Sequence, residues 1–165
     1  MASINQFKAN LIGAGPRANR FKVFIPRLPS GQEFLIKTAA LPAQEIGETA
    51  VQYQGMTVKL AGDRTFADWT TGVYNDNSFS VRSAIEKWME EIVPLDGSNG
   101  TVGYEYMADR ATVSQLDRAD NIIATYEFFN MWPATLGEIA LDSSGADEVE
   151  TFDVTWKFSH FERSK

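Results

Sequence analysis

Cysteine is absent from this 165-residue sequence, and histidine occurs once, as His160. Without cysteine there is no disulfide, no thiolate zinc site and no cysteine nucleophile, and a single histidine excludes a metal site built on two histidines. No stretch approaches the roughly 18 unbroken apolar residues of a membrane span, and residues 1–8 lack the apolar centre of a signal peptide. We therefore expect a protein made and kept in the cytoplasm, with no metal, no cofactor and no membrane insertion.

Positive charge is also scarce: the sequence contains 15 Lys and Arg and 22 Asp and Glu, which gives a formal net charge of −7. Binding to duplex nucleic acid needs clustered cations, so the total argues against such a grip. The charge is unevenly spread: residues 1–44 carry +5 and the remainder carries −12. This split is compatible with a nucleic-acid-binding arm, with two surfaces that attract each other between copies, or with an accidental distribution of solvated charge.

Hydrophobic patterning predicts a single domain over residues 1–165, with residues 1–18 as a flexible or interface arm. Strands are predicted at 21–25, 34–37, 65–74, 112–116, 122–129 and 151–159, and a hairpin at 51–53 and 57–60 around Gly55. The clearest signal is 151–159, in which apolar and polar residues alternate as in a half-buried strand.

One helix is predicted between these strands. Four of its apolar residues recur at helical spacing and are expected to face the core: Val81, Ile85, Trp88 and Ile92. Asn77 or Ser78 is expected to cap its start, and Pro94 to end it. Many antiparallel strands and one helix predict a mainly β fold, a β-sandwich or barrel of two packed antiparallel sheets with one flanking α-helix.

One stretch has the spacing of a cofactor-binding motif but lacks the strand and helix that such a motif needs on either side. Residues 13–18 match the dinucleotide fingerprint G-x-G-x-x-A, and Glu33 lies where a ribose-binding carboxylate is expected. That fingerprint needs a strand before it and a helix after it. The residues that follow alternate as a strand and contain Pro26 and Pro29. We therefore interpret residues 10–20 as a loop.

Catalytic groups do not assemble in the sequence. The carboxylates of Asp63, Asp68 and Asp76 have no accompanying nucleophile or base, and adjacent acids at 90–91 are typical of a solvated helix face. His160 follows the last predicted strand and is expected to be a partly buried core or interface residue. The aromatic residues, 12% of the chain, fill a core or line a sugar-binding face. We predict no enzyme, and the residues alone predict a soluble β-rich domain that associates with itself.

Several stretches resemble the tail tube proteins of contractile-tailed bacteriophages. They are KTAALPA at 37–43, VKLAGDRTFADWT at 58–70, VYND at 73–76, WPATLGEIALD at 132–142 and ETFDVT at 150–155. The resemblance extends from about Arg17 to Phe161, and the loop at 94–110 departs most from the family pattern.

The resemblance implies the phage tail tube fold and a structural role. The expected assembly is a hexameric ring that stacks helically into a hollow conduit for the genome, inside a contractile sheath. Implied partners are further copies of the chain, the sheath protein, baseplate and tail terminator proteins, and a tape-measure protein in the lumen. DNA is expected to pass without tight binding. The protein would reside in the virion after assembly in the cytoplasm of the bacterial host.

Candidate site residues follow from charge and position. The expected inter-ring interface contains Arg17, Arg20, Arg27, Asp63 and Arg64. The expected lumen-facing acids are Asp117, Glu127 and Asp153, in or beside predicted strands. The alternative function is a monomeric carbohydrate-binding β-sandwich module, which would not form rings.

Overall fold

The computed structural model describes residues 3–165, and over this range it contains ten β-strands and two α-helices. The helices are α1 (Ile4–Asn10) and α2 (Ser80–Ile92). The strands are β1 (Phe21–Phe24), β2 (Ile36–Thr38), β3 (Gln44–Tyr53), β4 (Met56–Phe66), β5 (Trp69–Tyr74), β6 (Ala111–Leu116), β7 (Ile122–Phe129), β8 (Trp132–Leu136), β9 (Thr151–Lys157) and β10 (His160–Arg163).

Eight of these strands form two antiparallel sheets. Sheet 1 has the order β1-β6-β7-β10 and sheet 2 the order β2-β5-β9-β8, while β3 and β4 pair only with each other. The inner faces of the two sheets meet in one core, in which Trp69 of β5 lies 4.5 Å from Phe128 of β7 between ring centroids. The predicted fold of two packed antiparallel sheets is confirmed.

The alternation in β9 works as the sequence predicts. Phe152, Val154 and Trp156 are at most 2% exposed, whereas Asp153 and Lys157 point to solvent. The strand is shorter than predicted, because it ends at Lys157 and the chain then crosses to sheet 1 as β10. Phe158 lies at this corner and packs 4.8 Å from Phe128, so one apolar residue joins the two sheets.

Two other strand predictions needed correction. The predicted strand 65–74 is two strands, because β4 ends at Phe66 and β5 begins at Trp69. The predicted strand 34–37 begins instead as a 3-10 turn, Gln32–Phe34. This turn is fixed by the buried Gln32 side chain, whose Nε2 donates a hydrogen bond to the Ile25 carbonyl at 2.8 Å. A buried polar side chain with a backbone partner overrides the local apolar pattern.

Helix α2 packs its predicted face on the core. Val81, Ile85 and Trp88 are buried, and Ile92, the last residue of the helix, is half-buried. The Trp88 ring lies 5.6 Å from that of Trp156, and its Nε1 donates to the Tyr106 carbonyl at 2.6 Å. The loop at 94–110 therefore supplies a backbone acceptor that satisfies the buried indole.

The start of α2 differs from the sequence prediction. Neither Asn77 nor Ser78 is the N-cap; that position is Phe79, in the left-handed region at φ 53°. The capping oxygens come from Asp76, whose carboxylate accepts the Ser80 amide and hydroxyl, each at 2.9 Å. An anion here also favours the positive end of the helix dipole. The residue type at the N-cap gives no sequence signal for this start, because the side chain that performs the capping lies three residues before the N-cap.

The core role of Trp88 predicts a large stability effect. Trp88→Ala should lower the free energy of unfolding by about 3–5 kcal/mol, because it leaves a cavity in the core. Urea unfolding of the dissociated protein measures the change. Lys87→Ala, at an exposed position of the same helix, is the control and should change it little. Equal midpoints for Trp88→Ala and the wild type would show that this face does not support the core.

The Asp76 cap predicts a pH-dependent contribution. Hydrogen bonds from the Ser78 hydroxyl and the Ser80 amide and hydroxyl lower the pKa of Asp76 below its ordinary value of 3.8. Its stabilisation is therefore present above pH 3.8 and is lost as the pH falls through the lower, folded-state pKa. Asp76→Ala should be less stable than the wild type at pH 7, and the gap should narrow below pH 3.8. Asn77→Ala should show no such dependence; a constant gap for Asp76→Ala would contradict the role of the charged cap.

Candidate assembly surface

The described part of the chain offers no obvious chemical site. Over residues 3–165, no group of three or more His, Asp or Glu side chains is placed to hold a metal ion. In the same range, no helix combines the length and apolarity needed to cross a membrane. The features that stand out are uncovered apolar surfaces.

The hairpin formed by β3 and β4 projects from the two sheets. At about 3.3 Å per residue, the 11-residue β4 is about 35 Å long. Every residue of both strands is exposed except Phe66 at the base. The tip is the Gln54-Gly55 turn, with φ of 47° and 82°, the left-handed pair that a two-residue hairpin turn requires. The predicted hairpin is confirmed and is much longer than its sequence signal.

One face of this hairpin is apolar. The register places Val51 opposite Val58 and Tyr53 opposite Met56, and it brings Leu60 onto the same face. We call these five residues the apolar hairpin face; they are 45–70% exposed. A two-stranded hairpin is marginally stable by itself, and an uncovered apolar patch of this kind marks an interaction surface.

The opposite face of the hairpin is polar. Glu48 and Lys59 form an ion pair at 3.5 Å, and the Gln52 Nε2 donates to the Thr57 hydroxyl at 2.8 Å. These contacts pair the polar side chains of this face with one another. Only the apolar face requires a partner.

The candidate inter-ring residues do not form one cluster. Arg20 pairs with Asp120 at 2.7 Å, and Arg27 pairs with Glu91 at 2.5 Å while its guanidinium lies 4.9 Å from the centre of the Trp88 ring. Two of the predicted cations are thus already engaged within their own chain. Asp63 and Arg64 lie in β4 near the base of the hairpin, and Arg17 lies in the exposed segment that precedes β1.

The candidate lumen acids lie in three different environments. Glu127 is on the outer face of sheet 1, opposite Glu162, and Asp153 is on the outer face of sheet 2, opposite Gly72. Asp117 organises the turn between β6 and β7, where its carboxylate accepts the amides of residues 119 and 121 at 2.8 and 2.9 Å. Those hydrogen bonds, chiefly from Asn121, lower its pKa. A wall made of one sheet face cannot contain both Glu127 and Asp153.

The chain also departs from two local expectations. His160 is exposed and stacks on Phe129, with ring centroids 4.7 Å apart, instead of being partly buried. Within the predicted arm, residues 4–10 form α1 and residues 12–14 a 3-10 turn, so the loop predicted from residue 10 begins with ordered structure. Residues 1 and 2 of that arm lie outside the described residues.

Comparison with known proteins identifies the family. The family model for the phage tail tube protein matches residues 17–164. The chain belongs to the phage tail tube protein family. It is 34% identical over 149 residues to the tail tube protein gp19 of Enterobacteria phage T4, an alignment that covers 88% of this chain and 90% of gp19.

Solved structures share the tail tube fold at low identity. A chain from the anti-feeding prophage tube-terminating cap superposes with a TM-score of 0.70 at 14% identity, covering 91% of both chains. A chain from the sheath-tube complex of the extracellular contractile injection system PVC gives a TM-score of 0.59 at 13% identity, covering 99% of this chain and 98% of that one. At these identities, the superpositions show that the fold is shared.

The most specific sequence motif of this tail tube protein lies at the base of the hairpin. In the run Ala61 to Phe66, a β-bulge shifts the register of β4 against β3. A Cβ on Gly62 would lie 3.2 Å from the Gly47 backbone, so only glycine fits this close approach without displacement. Phe66 then packs 5.4 Å from Phe161 and anchors the hairpin to the core. The motif sets where the hairpin leaves the body.

An aspartate introduced on the apolar face of the hairpin should affect assembly differently from one introduced on the polar face. Val51→Asp should abolish assembly of the tail tube protein, because burying an unpaired carboxylate against an apolar partner costs several kcal/mol per contact. Ala50→Asp, the adjacent residue on the polar face opposite Lys59, should assemble normally. Sedimentation measures assembly, and circular dichroism verifies that both variants fold. Full assembly of Val51→Asp would contradict the role of the apolar hairpin face.

Proposed function

We propose that this tail tube protein forms hexameric rings that stack helically into a hollow tube, which conducts the phage genome inside a contractile sheath. The observation that carries the proposal is the apolar hairpin face, which has no partner within the described chain. A monomer would leave that surface in water, whereas a repeating assembly covers it once per subunit. The role is structural and requires no catalysis.

The two sheets suit ring closure. Each sheet ends in short edge strands, β1 and β10 in sheet 1 and β2 and β8 in sheet 2. Exposed edges invite pairing with another chain, and closing a ring removes them. Stacking between rings uses two different surfaces of the subunit, and a contact of that kind is open-ended, so it extends a tube.

The outer face of sheet 2 is proposed to line the bore. Its register aligns Thr70, Thr155 and Thr135 across three strands, and Asp153 lies on the same face. Lys157 is neutralised by Asp68, whose two carboxylate oxygens both lie 3.1 Å from its Nζ. Lys37 of β2, whose Nζ lies 5.6 Å from the centre of the Tyr74 ring, is offset by Asp153. A face with small neutral side chains and no cluster of cations gives DNA little to bind, because phosphate binding depends on cations. Asp153 is thus the lumen acid, whereas Glu127 faces away from the bore.

The other partners follow from the family role. They are the contractile sheath protein, baseplate and tail terminator proteins, and a tape-measure protein that fills the lumen before DNA passes. The fold shared with chains of a tube-terminating cap and a sheath-tube complex supports the tail terminator and the sheath protein as partners. The protein would be part of the virion tail, assembled in the cytoplasm of the bacterial host.

Size and shape of the purified protein test the proposal. Negative-stain microscopy should show rings with six-fold symmetry or tubes, and light scattering should show hexamers or larger species. A protein that remains monomeric at all concentrations would contradict the tube and would favour the carbohydrate-binding sandwich.

The choice of sheet for the bore is tested with single cysteines, because the natural chain has none. Thr155→Cys on sheet 2 and Thr112→Cys on sheet 1 are half-buried and matched in chemistry. In intact tubes, both should react with a small maleimide, but only Thr112→Cys should react with a maleimide attached to a protein wider than the bore. The reverse result would place sheet 1, and Glu127, at the lumen.

The lining also predicts weak binding of DNA. Wild-type tubes mixed with duplex DNA at about 0.15 M salt should show no retention in a mobility-shift experiment, because the wall offers no cluster of cations. Retention at micromolar concentrations would contradict the proposed passage of DNA without tight binding.

A further inference from the structure

A second uncovered apolar surface lies between α2 and β8. A groove of about 510 Å³ separates the C-terminal half of α2 from this edge strand. Its wall is mainly apolar and is formed by Met89, Ile92, Val93, Leu95, Trp132, Pro133 and Ala134. Val93 and Leu95 are 72% and 92% exposed. The two charged residues of the wall, Glu86 and Glu90, are both acidic.

Helix α1 has the complementary surface. Ile4, Phe7 and Leu11, at its C-cap, recur at positions i, i+3 and i+7, and they are 73%, 65% and 42% exposed. Lys8 lies beside this stripe, and α1 has no acidic residue in its first turn. Arg17 adds positive charge nearby, and residues 1–20 contain no Asp or Glu. The segment is thus apolar on one side and basic overall.

Helix α1 is preformed but unsupported. Ser3 and Gln6 form a reciprocal capping box, in which the Ser3 hydroxyl accepts the Gln6 amide at 3.2 Å and the Gln6 Oε1 accepts the Ser3 amide at 3.0 Å. No residue of the helix is buried, and it packs on the 3-10 turn that follows it rather than on the sheets. A seven-residue helix is too short to be stable in water by local bonds alone. It therefore needs an apolar surface to lie on.

We propose that α1 of one copy docks in the α2–β8 groove of a second copy. Three apolar side chains at helical spacing are the anchors by which an amphipathic helix enters a groove. Lys8 beside the stripe meets the carboxylate of Glu90, which forms no ion pair within residues 3–165, whereas Glu86 is already paired with Arg82 at 3.1 Å. This charge pair gives the contact its orientation. Donor and acceptor surfaces differ, so each subunit uses both and the contact propagates from copy to copy. The inference rests on the proposed tube and names one of the surfaces that join its subunits.

The experiment uses mixed single-cysteine subunits. Full-length Phe7→Cys protein and Val93→Cys protein are co-assembled, oxidised and separated on a non-reducing gel. Because each chain carries one cysteine, a mixed disulfide forms only between copies and only when the two Cβ atoms come within about 4.5 Å. Ala9→Cys, on the opposite side of α1, replaces Phe7→Cys as the matched control. Mass spectrometry identifies which cysteines are joined.

We expect tubes in all samples and a Phe7→Cys–Val93→Cys dimer that is at least tenfold more abundant than the Ala9→Cys control. Tubes without this dimer overturn the inference and leave the proposed function intact. A further mixture pairs Tyr53→Cys protein, with its cysteine on the apolar hairpin face, with Val93→Cys protein. A dimer in that mixture alone would assign the groove to the hairpin and would also overturn the inference. A crosslink within one chain carrying both Phe7→Cys and Val93→Cys, without dimer in the mixture, means that α1 folds onto its own groove and also overturns it. Absence of tubes in the wild type refutes the proposed function itself.

Discussion

A two-stranded β-hairpin has no third strand and no opposing layer with which to cover an apolar face. That constraint applies to the hairpin of β3 and β4, which is about 35 Å long. One of its faces is apolar, and the polar side chains of the other face pair with each other. The partner must come from outside the chain. A subunit of a repeating tube meets this requirement at every position, since each copy supplies both the hairpin and whatever surface receives it.

The body of the protein is built to hold that hairpin in a fixed direction. Phe66 joins the end of β4 to an aromatic group at the corner between the sheets, which includes Phe158 and Phe161. The same corner connects sheet 1 to sheet 2 through β9 and β10. On the other side, α2 closes the core, and its indole and the Arg27 guanidinium share the Tyr106 carbonyl as an acceptor. A rigid body is what an assembly needs if small errors in subunit orientation are not to accumulate along a tube.

Much of the fold could be predicted from the sequence because its signals are local. The alternation in β9 and the helical spacing of Val81, Ile85 and Trp88 report directly which side chains are buried. The helix start was mispredicted because the capping carboxylate belongs to Asp76, whereas the N-cap position is Phe79 in the left-handed region. A phenylalanine at the N-cap gives no sequence signal for this geometry. β8 was missed because Pro133 interrupts a strand pattern; here it lies on an edge strand, where the missing amide is tolerated.

The candidate site was less predictable than the fold, for a physical reason. The charge distribution showed that residues 1–44 are basic. Whether one of their cations is free depends, however, on residues that are distant in sequence, and Arg20 pairs with Asp120 only in the folded protein. Likewise, Glu127 and Asp153 look equivalent in sequence but lie on opposite sheets, because sheet membership is set by strand order. The apolar hairpin face carried a readable alternation, yet only the structure shows that no other element of residues 3–165 covers it.

Hydrogen exchange of the β3–β4 amides tests this account most directly, because it compares the same bonds in the free and assembled states. In dissociated subunits, these amides should exchange far faster than those of β5, β7 and β9, since a two-stranded ladder in water opens locally at little cost. In assembled tubes, the account predicts that their protection rises by at least a hundredfold, towards that of the two sheets. Equal exchange of the hairpin in both states would contradict the claim that assembly covers it.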